Sequence, residues 1–300
     1  MILTVTFNPA IDHTYVVDSN LAEEHIIRTD ESHFDAGGKG INVASYLNDL
    51  GHDAIATGLL GGFTGKFIRN ELDNLGLDHD FAEGGITRIN TTIAGENEHK
   101  INHSGPETEE EAVDRVIEKV ASRNPDKVII SGSLPPGLDS SAIDSIEKAV
   151  DGEVVVDLHG DTLGLLEQNY FMAKPNREEL SEATGMRAET VGEAFEAARS
   201  LREDGFEIVV ASLGSEGALL VSDEKSIFAE GLDSEVVDTT GAGDALLSAM
   251  IAYLEEGLGE GESLVRALAF ATLVVETAGT GSPDLEDFEE YVEKVDVREL

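Results

Sequence analysis

Short apolar runs with strand character alternate with amphipathic helical periods along almost the whole of this 300-residue chain. No other feature constrains the fold as much. The strand candidates are Ile2–Phe7, Ala54–Leu60, Lys127–Ser131, Glu153–Leu158, Phe171–Lys174 and Glu207–Ser212. Helical patterns fall near 40–50, 64–75, 108–122, 139–150, 190–204, 242–256 and 262–277. Val128-Ile129-Ile130 and Val154-Val155-Val156 are apolar at every position, which suits strands covered on both faces. The pattern predicts an α/β fold, a mainly parallel sheet flanked by helices and joined by right-handed crossovers. In such sheets ligands gather at the carboxyl ends of the strands. Two polar stretches with short alternating patterns interrupt the rhythm, Asp12–Phe34 and about Gly84–His103. They predict a small β-sheet lid built from two insertions into one domain spanning residues 1–300, able to exclude water from a site. A pair of plain surface hairpins is the other reading. The acidic runs Glu107–Glu111 and Glu286–Glu290 read as solvated helix faces.

Charge narrows the function. The formal charge of −41 comes from 61 acidic and 20 basic residues. A surface this acidic repels phosphate backbones, so no nucleic-acid partner is expected. Hydrophobic residues make up 41% of the chain, too many and too periodic for disorder. A folded protein adapted to very high salt fits better, because the Debye length falls to about 3 Å at 1 M and screens the self-repulsion. The absence of cysteine rules out disulfides and thiolate metal sites. No apolar run approaches the roughly 20 residues that span a bilayer. The expectation is a soluble, cytoplasmic protein with no membrane partner.

Three segments carry chemistry. In Asp238-Thr239-Thr240-Gly241-Ala242-Gly243-Asp244-Ala245 a tight turn opens directly into an apolar-periodic helix. Unsatisfied N–H groups and the helix dipole attract phosphate there, and small residues let it approach. Asp244 beside that anion site is a candidate base for an attacking hydroxyl. In Asp35-Ala36-Gly37-Gly38-Lys39-Gly40-Ile41-Asn42 glycines again open a helix, with Lys39 as cation and Asn42 as a two-way hydrogen bonder. The spacing is not that of a Walker A loop. In Lys174-Pro175-Asn176-Arg177-Glu178-Glu179-Leu180, Asn176 and Glu179 share a helical face. They form either a helix cap or an amide–carboxylate pair holding Mg²⁺ through its waters.

Lesser segments follow other strands. Ser131–Gly137 either lines a pocket or merely connects. Ser212-Leu213-Gly214-Ser215-Glu216-Gly217 offers backbone donors for nucleotide phosphates or forms a simple hairpin. Asp12 falls at the carboxyl edge of the first strand. Arg28 and Arg88 are scarce cations, one in each lid segment, suited to a substrate phosphate.

Together GGKGINVA, KPNREEL, SLGSEGA and DTTGAGDA resemble, in order and separation, the PfkB or ribokinase-like family of carbohydrate kinases. The resemblance covers essentially the full chain. It implies ATP- and Mg²⁺-dependent phosphorylation of a sugar hydroxyl on a ribokinase-like fold, whose β lid often pairs two subunits into a homodimer. It makes Asp244 the catalytic base and Gly241, Ala242 and Gly243 the anion hole. Lys174, Asn176, Glu179, Ser212, Gly214 and Gly217 would serve ATP, with Asn176 and Glu179 on the metal. Asp12, Arg28, Gly37, Gly38, Lys39, Asn42 and Arg88 would serve the sugar phosphate. NPAID, AGGKGINVA and SGSLPPG look most like the branch acting on phosphorylated ketohexoses. The reaction this implies is transfer to the C6 hydroxyl of fructose 1-phosphate, with fructose 6-phosphate, tagatose 6-phosphate or an unphosphorylated sugar as alternative acceptors. A catalytically silent sugar-phosphate sensor is the alternative outside the enzymes.

Overall fold

The computed structural model describes residues 1–17, 26–95, 97–277, 279 and 281–300. Residues 18–25, inside the first expected insertion, lie outside the described residues. The first half of the chain comprises β1 (Ile2–Thr6), β2 (Ala10–Val16), β3 (Glu31–Gly37), α1 (Lys39–Asp49), β4 (Ala54–Leu60), α2 (Gly62–Leu75), β5 (Ala82–Glu83), β6 (Arg88–Ala94), β7 (His99–Ile101), α3 (Glu110–Arg123) and β8 (Lys127–Ser131). Then follow α4 (Ser141–Glu147), β9 (Glu153–Asp157), α5 (Gly160–Leu163), β10 (Tyr170–Ala173), α6 (Arg177–Thr184), α7 (Val191–Glu203) and β11 (Phe206–Ser212). The chain closes with β12 (Gly217–Val221), β13 (Ser226–Glu230), α8 (Ala242–Glu255), α9 (Glu260–Val275), α10 (Phe288–Lys294) and β14 (Val297–Glu299).

Ten strands form one sheet in the order β14-β13-β12-β11-β10-β9-β8-β1-β4-β5. Every pairing from β11 to β5 is parallel, and the β11–β14 end is antiparallel. Alternate residues of the all-apolar strands feed opposite cores. Ile129 and Val155 join Leu47, Met250 and Phe270 on the α1, α8 and α9 side. Val128, Ile130, Val154 and Val156 join Val116, Ile143 and Leu201 on the α3, α4 and α7 side. The continuous apolar runs are thus the signature of a strand with a helix layer on each face. No helix among the described residues is long and apolar enough to cross a membrane.

From β1 the chain moves to β4 and β5 on one side, then returns to β8, β9, β10 and β11 on the other. A crevice opens at the carboxyl ends of β1 and β8, where that order reverses.

The smaller sheet has the order β3-β2-β6-β7. Its register puts Ile11, Tyr15, Phe34, Ile89 and Ile101 on one face and Asp12, Asp35, Asn90 and Lys100 on the other. The apolar face leans on α2, where the Phe34 and Phe67 rings stand 6.2 Å apart. Lys100 on the polar face acts on both Asp12 and Asp238, so that face looks across the crevice towards the loop before α8.

Candidate active site

Asp244 is the third residue of α8 and is buried. Gly241 caps the helix at φ 81°, a left-handed conformation that suits glycine. The N–H groups of Gly243 and Asp244 lie in the first turn, where no intrahelical acceptor exists. A side chain at Gly243 would begin 3.3 Å from Lys174 Nζ, so glycine keeps the lysine and the helix terminus within reach of one anion. Asp238 braces the turn: its carboxylate accepts from Thr240 N at 2.8 Å and from Gly279 N at 3.2 Å.

Helix α1 delivers two more groups from one face. Asn42 Nδ2 donates to Asp244 Oδ2 at 2.8 Å. Three residues earlier, Lys39 Nζ reaches Asp157 Oδ1 at 3.1 Å and Glu179 Oε1 at 3.7 Å. Lys174, at the end of β10 and nearly fully buried, meets the same Asp157 oxygen at 3.3 Å. Asp157 ends β9, is wholly buried, and its Oδ2 has no partner among the described residues. It is the residue of this cluster that sequence reasoning missed. The available signal was the one used for Asp12, an acid closing a strand at the sheet's carboxyl edge.

These charges set one another's protonation. Burial pushes the Asp157 carboxyl up, but the Lys174 and Lys39 ammoniums outweigh it and hold it below the usual range. Burial weakens the Lys39 ammonium, yet Asp157, Glu179 and Asp244 more than restore it, so it stays firmly protonated. Burial first, and the Asp157 charge second, push Asp244 up to about 6 against the pull of Lys39, Asn42 and Lys174. A carboxylate so placed is ionised at neutral pH and still basic enough to accept a proton.

Asn176 and Glu179 do form the helix cap. Asn176 Oδ1 accepts from Glu179 N at 2.9 Å, and Glu179 Oε2 accepts from Asn176 N at 2.9 Å. The cap leaves Glu179 Oε1 facing Lys39, so one residue serves the helix and the site together. Ser212 lies beside this segment, its N–H donating to Pro175 O at 3.0 Å. Gly214 opens a 3₁₀ turn running to Glu216, and Gly217 begins β12. Arg177 ties the turn to α6 through Glu216 at 2.8 Å.

On the other side of the crevice, Asp12 accepts from Asn90 Nδ2 at 2.9 Å, and burial raises its carboxyl. Gly37 ends β3 against the Asp12 carboxylate, and Gly38 is the N-cap of α1. Arg88 is half-buried, and its guanidinium is braced on Asn8 O at 3.2 Å and His103 O at 2.7 Å. Arg28 is exposed in the segment before β3, and no hydrogen bond or ion pair joins it to the other site residues among those described. Of the groups expected at the sugar phosphate, Lys39 and Asn42 are the ones joined to the carboxylates near Lys174. No cluster of three or more metal-ligating side chains occurs among the described residues. One or two carboxylates suffice where a nucleotide brings its own magnesium.

A buried carboxylate at a helix N-terminus, with ammoniums beside it on a doubly covered sheet, suits phosphoryl transfer. The chain belongs to the PfkB family of carbohydrate kinases, whose model (pfkB family carbohydrate kinase) matches residues 5–287. It is 47% identical to the 1-phosphofructokinase of Haloferax volcanii, over 99% of this chain and 99% of that protein. It is 32% identical to the D-tagatose-1-phosphate kinase of Bacillus licheniformis over 100% of each. Among solved structures it is similar to phosphofructokinase-2 from Escherichia coli in complex with potassium. The TM-score is 0.90 at 27% identity, covering 97% of this chain and 98% of that one.

Proposed function

We propose that the chain transfers the γ-phosphoryl group of ATP to the C6 hydroxyl of fructose 1-phosphate, giving fructose 1,6-bisphosphate and ADP. The observation that carries the chemistry is Asp244, a buried carboxylate in the first turn of α8 beside two ammoniums, whose pKa burial and the Asp157 charge push up to about 6. It takes the C6 proton as that oxygen attacks phosphorus and the bond to the ADP oxygen breaks. Asn42 holds the carboxylate in line through its 2.8 Å bond. The first-turn N–H groups of α8 and the Lys174 ammonium meet the negative charge on the transferring group. Lys39, between Asp157 and Glu179, adds a second cation on the same side.

The donor set fits magnesium carried in with the nucleotide, because Asp157 Oδ2 is buried and has no partner among the described residues, and Lys39 links Asp157 to Glu179 Oε1. Asn176, Glu179 and Asp157 would hold the ion through water, and when bound it neutralises phosphate charge. Ser212, Gly214 and Gly217 line the nucleotide side, Asp12, Gly37 and Gly38 the sugar hydroxyls. Arg88 and Arg28 serve the 1-phosphate. The small sheet is the lid of this reading, within one domain spanning the chain. Its exposed Tyr15, Phe34, Ile89 and Ile101 give a second copy an apolar face to cover. Free ATP and sugar phosphate place the reaction in the cytoplasm.

The choice of acceptor rests on the Haloferax volcanii relative. The Bacillus licheniformis relative favours a second reading, tagatose 1-phosphate, which differs from fructose 1-phosphate in the configuration of one hydroxyl. Coupled ADP release decides between them, in KCl of about 2 M to keep the Debye length under about 3 Å. Fructose 1-phosphate, tagatose 1-phosphate, fructose 6-phosphate, tagatose 6-phosphate and ribose are compared at subsaturating levels. The highest kcat/KM with fructose 1-phosphate is expected. A higher value for another sugar moves the acceptor but keeps the kinase, and silence on all five leaves a sugar-phosphate sensor.

A further inference from the structure

The stems that join the small sheet to the body meet at one buried residue, through its side-chain amide and its main-chain carbonyl. Asn8 leads from β1 into β2, Arg88 opens β6, and His103–Gly105 returns from β7 towards α3. Asn8 is 4% exposed. Its Nδ2 donates to the Ser104 carbonyl at 2.9 Å and to Ser133 Oγ at 3.1 Å. Its own carbonyl accepts from Arg88 Nε at 3.2 Å, and Arg88 Nη1 goes on to His103 O at 2.7 Å. Gly105, at φ 106°, lies against the far side of the amide, where an added Cβ would overlap Asn8 Oδ1. That oxygen is buried and has no partner among the described residues. An unpaired buried acceptor is costly, so stability alone does not account for an amide here.

We propose that Asn8 is the pin of the small sheet, a positioning residue that fixes the angle at which the sheet stands over the sugar phosphate. The proposal rests on the reading of that sheet as the lid of a sugar-phosphate kinase. One amide and one carbonyl hold the entry to β2, the entry to β6 and the exit from β7. Swinging the sheet therefore strains all three stems together. The same side chain reaches the loop after β8: Ser133 Oγ accepts from it, which leaves the serine proton free to donate elsewhere. Arg88 is held at Nε and Nη1, so only the rest of its guanidinium can face a ligand, in a direction that Asn8 sets. Phosphate positioning and lid angle are thus one variable, and misplacement of about 1 Å far from the chemistry can cost up to about a hundredfold in kcat/KM.

Asn8→Ala and Gly105→Ala test this in the full chain, by steady-state kinetics and by amide hydrogen exchange without ligand. Gly105→Ala keeps every hydrogen-bonding group but drives a methyl into the pin. Both variants are expected to raise KM for the sugar phosphate about ten- to a hundredfold. KM for ATP and kcat at saturation should stay within about twofold, the mark of lost ground-state positioning on one substrate only. Exchange should quicken in 10–16 and 88–101 and stay unchanged in β8 to β11. Equal rises in both KM values, or exchange that quickens across the large sheet, would make Asn8 a plain core residue and overturn the proposal. If Asn8→Ala does not fold, Gly105→Ala decides alone, and parental KM and exchange in it refute the pin. Should the parent phosphorylate none of the sugars, the functional reading falls, while the exchange pattern still settles whether Asn8 holds the sheet.

Discussion

Asp244→Asn should make the protein more stable and nearly inactive at once. Burial and the neighbouring Asp157 charge raise the Asp244 pKa from 3.8 to about 6. A rise of about two units corresponds to about 3 kcal/mol. The native state binds this proton more tightly than the unfolded chain does. The ionised group therefore leaves stability untouched below about pH 4, lowers it progressively between about pH 4 and 6, and lowers it fully above that. Asparagine is neutral throughout, and its side-chain oxygen can still accept from Asn42. At pH 8 the variant should be about 2–3 kcal/mol more stable, which for a chain of this size raises Tm by about 3–5 °C. At pH 5 about half of that gain should remain. Turnover should fall about 10²–10⁴-fold with ATP still bound, because only the general base is lost. Thermal melts of both proteins at pH 8 and pH 5 in concentrated KCl, paired with ADP release and nucleotide titration, supply the readings. A variant less stable than the parent at pH 8, or a gain that grows towards pH 5, would refute the electrostatic reasoning. Loss of ATP binding would refute the assigned role.

Other consequences follow from the same charges. kcat/KM for the sugar phosphate should climb with pH along an acid limb near 6, since free Asp244 must be ionised to act; a limb at an ordinary carboxylate value would show that Asp244 is not the titrating base. Asp157→Asn strips the counter-ion from two ammoniums, one of them only 3% exposed, and should destabilise the fold by about 3–5 kcal/mol in denaturant melts. A parental midpoint would mean that Asp157 does not hold the lysines in place. Dialysis from molar KCl into dilute buffer should unfold the chain, seen as loss of far-UV circular dichroism and recovered on adding salt; retention of structure at low salt would separate the acidic composition from any need for screening.

Much of the large sheet was legible because its strands are short apolar runs and its helices keep a 3.6-residue period. Val128–Ile130 and Val154–Val156 are read correctly from their continuous apolarity, and Gly241–Asp244 from glycine followed by helical periodicity. The antiparallel end formed by β12, β13 and β14 was not. There the sequence left Ser212–Gly217 open between phosphate loop and hairpin, and its position beside β11 depends on packing against α9 rather than on a local signal. At Asn176 and Glu179 the structure shows the cap, which uses one Glu179 carboxylate oxygen and leaves the other beside Lys39; the cap therefore does not exclude the metal reading, which local sequence could not separate from it. Asp157 shows the deeper limit. Its partner Lys39 is 118 residues away, and Asn42 meets Asp244 across 202. Local pattern can nominate each member of such a pair, but only the strand order brings them together.

A PfkB-family chain with a formal charge of −41 must bring phosphate groups in against its own field. The site does so by keeping its cations close. Of nine lysines, Lys39 and Lys174 converge on one Asp157 oxygen, and Lys174 stands at the helix terminus that would receive the phosphoryl group. Two of the other lysines pair with carboxylates nearer the surface, Lys119 with Asp80 and Lys100 with Glu98. In dilute salt the acidic surface would act on an incoming phosphate over a Debye length of about 10 Å at 0.1 M. In molar salt that reach contracts to about 3 Å, comparable with the 3.1–3.7 Å separations inside the site. Only immediate neighbours then influence the phosphate: two ammoniums, the first turn of α8, and the Asp157, Glu179 and Asp244 carboxylates that the lysines offset. The acidic exterior and the anion-binding interior are compatible because screening uncouples them. The same ion concentration that keeps such a surface soluble lets its few buried cations govern the chemistry.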